Sequence, residues 1–146
     1  MGGERILQGL REAVAIAKRE SGRHVLVCGG RDYRDKSRVY EVLDGLHVIE
    51  PIGLVIEGGQ RTWSPEEGRF IGGADHWAHK WAAERGVGAM TVRADWKKHG
   101  RAAGPMRNKR MLEHAPDLVV CFPGGRGTKN MREQAEAAGF PTLLIE

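Results

Sequence analysis

The stretch Asp117-Leu-Val-Val-Cys-Phe-Pro-Gly-Gly-Arg-Gly-Thr128 constrains the fold more than any other part of this chain. Leu118 to Cys121 read as a buried strand, and Pro123 to Gly127 forbid regular structure. Thr128 is a suitable N-cap for a helix that follows. A glycine loop between a strand and a helix start turns backbone N–H groups toward the positive end of the helix dipole. In an α/β sheet such a loop is most often a phosphate site. Pro123, Gly124, Gly125, Arg126, Gly127 and Thr128 are therefore candidate ligand contacts.

The rest of the chain fits that frame. Short apolar runs alternate with helical patterns, as in βαβ units. Residues 4–20 carry Ile6, Leu10, Val14 and Ala17 at helical spacing, predicting an opening helix. Strands are expected at His24–Cys28, Leu54–Glu57, Met90–Arg93, Leu118–Phe122 and Pro141–Ile145. Helices are expected over 36–46, 74–85, 103–114 and 129–138. Right-handed crossovers then give a three-layer α/β domain spanning 1–146. Its open, mainly parallel sheet has about five strands, with helices on both faces and the ligand side at the strand C-termini. A chain of 146 residues buries enough surface to need no disulfide or metal staple. Cys28 and Cys121, both on strands, read as reduced core residues. No secretory h-region or membrane-length apolar run occurs, so a cytoplasmic protein without membrane contact is expected.

Three expected strands end in glycine pairs: Gly29-Gly30 (with Arg31 and Asp32), Gly58-Gly59 and Gly124-Gly125. A parallel sheet puts all three on one edge, which points to a ligand site there. The P-loop pattern is absent, and position 130 is Asn where the dinucleotide fingerprint needs Gly. The absence of both patterns argues against a P-loop NTPase and an ordinary dehydrogenase. Arg107 and Asn108 fall early in the 103–114 helix, where Arg offers a bidentate fork for phosphate and Asn can bond a sugar or base. Gly73 precedes Asp75 before the 74–85 helix. Asp75 reads either as its cap or as a carboxylate for ribose hydroxyls. His76 and His79 lack a third ligand at matching spacing, so no metal is expected. Trp77 and Trp81 read as core, while Trp63 and Trp96 fall in loops where one could cover a base. Residues 60–71 read as a long polar loop on the ligand edge, either a lid or without a role.

These motifs resemble the SLOG superfamily, a Rossmann-like group that includes the LOG enzymes and DprA. The nearest likeness is to its YspA-like branch, defined by the DUF2493 domain. The pieces are Gly29–Tyr33, Gly73–Asp75 with Trp81-Ala82, Ala94–Trp96, Ala103–Asn108 with Met111, and Phe122–Thr128. The resemblance implies binding of a nucleotide or a derivative such as NAD or ADP-ribose, no obligatory cofactor, and a homodimer or higher homo-oligomer. LOG enzymes cleave the N-glycosidic bond of a nucleotide with an acid that corresponds to Asn130 here, and with an arginine matched by Arg107. Catalytic candidates are then Arg107, Asp75, Asp32 and Asp95, with hydrolysis as the alternative to binding. The pI near 9.3 and the basic run from Lys97 to Arg110 raise single-stranded nucleic-acid binding as a third reading. Interspersed acidic residues rank it last.

Overall fold

The computed structural model describes residues 3, 5, 6, 8–10 and 22–146. The helix expected over 4–20 lies largely outside the described residues. The elements run β1 (Arg23–Cys28), α1 (Lys36–Ile49), β2 (Ile52–Glu57), β3 (Thr62–Ser64), β4 (Arg69–Gly72), α2 (Ala74–Arg85) and β5 (Gly88–Thr91). They continue through α3 (Trp96–His99), a 3-10 turn (Gly100–Ala102), α4 (Ala103–Glu113), β6 (Leu118–Cys121), α5 (Arg126–Ala137) and β7 (Thr142–Leu144).

Five strands form one parallel sheet in the order β5-β2-β1-β6-β7. The chain moves outward from β1 through β2 to β5, then returns to the other side of β1 for β6 and β7. The order therefore reverses between β1 and β6, the position where ligands of doubly wound sheets bind. Alternation along β1 divides the core. Val25 and Val27 face α1 and α2, packing with Val39, Leu43, Trp77 and Trp81. Leu26 and Cys28 face α4 and α5, packing with Met111, Leu112, Met131 and Ala135. These are the helices on both faces that the alternating pattern implied. Trp77 and Trp81 are core residues, and the indole N–H of Trp81 donates to Asp44 at 2.8 Å. Cys28 and Cys121 are paired across β1 and β6, both free and buried. The hydrogen bond to Cys121, and burial after it, hold the Cys28 thiol well above its usual range.

Three expectations need correction. Residues 60–71 are not simply a loop, because β3 and β4 pair as an antiparallel hairpin. Trp63 packs edge-on against Phe70 at 4.9 Å, and the Arg61 guanidinium lies 3.8 Å from the Phe70 ring. Helix α5 starts at Arg126, earlier than the expected 129. Its N-cap is Gly125, which makes no side-chain cap bond, and Thr128 lies in the first turn and is not the cap. Strand β5 spans Gly88–Thr91, two residues before the expected run, because Leu54 pairs with Gly88 and Glu57 with Thr91. The basic run after it therefore sits beyond the strand end.

Candidate functional site

All five strands of the sheet point the same way, so the three glycine turns share one edge. The turns after β1 and β6 are stitched together, with Gly30 N–H donating to the Pro123 carbonyl at 2.9 Å. Along this edge the surface is hollowed into a series of adjoining cavities.

At one end, Pro123, Gly124, Gly125, Arg126 and Thr128 line a cleft of about 610 Å³ between α5 and the chain end, with Lys129 and Arg132. Thr128 also borders a narrow space of about 20 Å³ lined by Gly29, Gly58, Asp75, Arg107, Asn108 and Gly127. Gly58 and Arg107 lead on to a cavity of about 250 Å³ lined by Arg31, Gly59, Gln60, Arg61, Arg93 and Trp96. Gly59, Arg61 and Arg93 then wall a last space of about 80 Å³ with Glu57, His76, His79 and Thr91.

The narrow space contains the buried polar groups. Arg107 is 5% exposed and donates from Nη1 to the Gly58 carbonyl at 3.0 Å and from Nε to Asn108 Oδ1 at 3.0 Å. Asn108 in turn donates to the Gly127 carbonyl and to Asn130 Oδ1, each at 3.1 Å. Gln134 donates to the same Asn130 oxygen at 2.7 Å. Asn130 thus spends its carboxamide oxygen on the α4–α5 contact. A Cβ at Gly58 would run into the Arg107 guanidinium and come within 3.1 Å of Asp75 Oδ2, so any other residue there must displace Arg107.

Asp75 is not the cap of α2. Gly73 holds that position, at φ +125° and pressed against the Gln60 carbonyl. Asp75 points inward, 5% exposed, and accepts the Gln60 N–H at 3.1 Å. Burial first, and the neighbouring Glu57 second, push its carboxyl up to about 7 against the pull of Gln60 and Arg107. Burial lowers the Arg107 guanidinium, and Asp75 and Glu57 oppose that shift.

The structure separates the other candidates. Asp95 caps α3, accepting the Lys98 N–H at 3.1 Å. Asp32 is exposed, with its backbone packed against Gly72. Gly30 and Gly73 shape turns and line none of these cavities. Residues that sequence patterning passed over also belong here. Arg61 immediately precedes the hairpin, Arg93 follows β5, and Glu57 ends β2. Glu57 looked like the last residue of a strand, yet it is 1% exposed and the most buried acid of the described chain. Its adjacency to Gly58-Gly59 was the available signal. Of the two tryptophans that could have covered a base, Trp96 lines the arginine cavity and remains 52% exposed.

Among the described residues, no helix is long and apolar enough to cross a membrane, and no group of three His, Cys, Asp or Glu could hold a metal ion. Over 130 residues the chain is 36% identical to the Gene 61 protein of Mycobacterium phage D29, covering 83% of this chain and 94% of that protein. The chain belongs to the family of that phage protein. No protein-family profile and no solved structure matches it.

Proposed function

We propose that this member of the Gene 61 family binds a phosphorylated nucleotide or nucleotide derivative along the C-terminal edge of its sheet. One observation carries the reading. Arg31, Arg61, Arg93 and Arg107 converge on one cavity beside an exposed indole. Arg23, Arg38, Arg69, Arg85 and Arg132 each lie within ion-pair distance of a carboxylate. Arg31, Arg61 and Arg93, like Arg34, Arg101, Arg110 and Arg126, have no ion pair among the described residues, and they are set apart by sharing one cavity. Gathering unpaired like charges costs energy that a bound polyanion would offset. Guanidiniums suit phosphate oxygens, and the indole face suits a base. The resemblance to SLOG proteins points the same way, toward ligands such as AMP, ADP-ribose or NAD.

Titration calorimetry of the purified chain against those three compounds tests this. Binding tighter than millimolar by at least one is expected. A folded protein that binds none of them refutes the reading.

A second reading, release of the base by N-glycosidic hydrolysis, is favoured by Asp75. A carboxyl near neutrality beside Arg107 suits general acid or base work. It would replace the acid that LOG enzymes carry at the position of Asn130. Free base detected by chromatography, and lost in Asp75→Asn, is the expected result under this reading.

A further inference from the structure

The last cavity in the series has chemistry that nucleotide binding does not need. Glu57 accepts the Gly59 N–H at 2.5 Å and the Thr91 hydroxyl there, and His79 Nδ1 lies 3.2 Å from its carboxylate. A carboxylate that only accepts requires the hydrogen on Nδ1 in the neutral ring. The lone pair then resides on Nε2. The His79 side chain is 52% exposed and lines the cavity of about 80 Å³ together with Arg61 and Arg93. Glu57 has Gly59 and Thr91 to hold it in place, so anchoring the strand end leaves the imidazole unexplained. A buried acid orienting a histidine, with a free ring nitrogen and two guanidiniums on the same small cavity, is an arrangement suited to proton transfer at phosphorus.

We propose that Glu57 and His79 form a proton-transfer pair that hydrolyses a terminal phosphate monoester held by Arg61 and Arg93. The space is small enough for a phosphoryl group, while the adjoining cavity of about 250 Å³ takes the rest of the molecule. In the step, water attacks phosphorus and gives a proton to His79 Nε2. The bond from phosphorus to the ester oxygen breaks, with its electron pair staying on that oxygen. The leaving oxygen takes a proton from water and the imidazolium releases its own to solvent, giving an alcohol and inorganic phosphate. Arg61 and Arg93 balance the charge on the phosphoryl oxygens, and Glu57 is a positioning residue that acts through His79.

The test measures phosphate released from p-nitrophenyl phosphate and from AMP by the whole chain. Wild type, His79→Ala and Glu57→Gln are compared after their melting curves are matched. Release by wild type is expected, with kcat falling about 100-fold or more in His79→Ala and KM changing little. Imidazole added to His79→Ala should restore part of the rate, which a purely structural histidine would not allow. If Glu57→Gln does not fold, the His79 variant and its rescue decide alone. No release by wild type from either compound overturns the proposal, and so does a rate unchanged in His79→Ala. Nucleotide binding without phosphate release sinks this inference and spares the binding reading. Release from p-nitrophenyl phosphate by a protein that binds no nucleotide does the reverse.

Discussion

Replacing Asp75 with Asn should change how stability depends on pH more than it changes stability at any one pH. The carboxyl is pushed from 3.8 to about 7 in the fold, chiefly by burial. Between about pH 4 and about pH 7 the folded chain holds a proton at Asp75 that the unfolded chain has lost. The folded state then binds more protons, so stability falls as pH rises through that window and levels off above it. A gap of about 3 units corresponds to roughly 4 kcal/mol between the two limits, an upper figure because the site relaxes around a charge. Asparagine keeps an oxygen for the Gln60 N–H and has no proton to lose. Urea unfolding of both proteins at intervals from about pH 4.5 to about pH 8 supplies the measurement. The stability of wild type minus that of Asp75→Asn should decline by about 2 to 4 kcal/mol toward high pH, the other ionisable groups largely cancelling. A difference that stays flat, or that rises with pH, would refute the placement of Asp75 as a buried acid beside Glu57.

Other outcomes follow from the same geometry. Gly58→Ala should displace the Arg107 guanidinium from the Gly58 carbonyl, costing about 1–2 kcal/mol by denaturant unfolding and about tenfold in nucleotide affinity by calorimetry. Arg93→Ala removes one of the converging cations, so it should raise stability by up to about 1 kcal/mol while weakening nucleotide binding about tenfold. Trp81→Ala should cost about 3–5 kcal/mol, because the side chain is wholly buried and its N–H partner Asp44 loses a donor. Cys28 and Cys121 should resist a thiol reagent in the native protein and react once urea unfolds it, since both are buried in the sheet.

The parts of the fold that could be read from sequence are those where one physical signal dominates. Ala74, Trp77, Ala78, Trp81 and Ala82 repeat at helical spacing on a helix whose bounds, 74–85, match the expectation. The strands β1, β2 and β6 announce themselves as apolar runs ending at glycines. The start of α5 is hidden in the sequence because Thr128 has the chemistry of a cap, whereas Gly125 holds the cap position with no side-chain bond. The β3–β4 hairpin escaped because three- and four-residue strands give too little alternation to register. At the site, Arg107, Asn108 and the glycine pairs could be found from their place after strands. Arg61, Arg93, Glu57 and His79 could not, because their meeting depends on β2 pairing with β5 and on the hairpin folding back. Sequence spacing does not encode either contact.

The hairpin has one further consequence. Its base is fastened by Gln60 N–H to Asp75, by the Thr62 hydroxyl to the Arg31 carbonyl, and by Gly73 N–H to the Tyr33 carbonyl. Arg61 therefore sits at the foot of the ribbon between two tethered residues, Gln60 and Thr62, unlike a residue on a free flap. The entropy of bringing that cation to the cavity is spent when the chain folds and not when a ligand arrives. Association should then proceed in one kinetic phase, at a rate set by encounter and by salt, with no slow closure behind it.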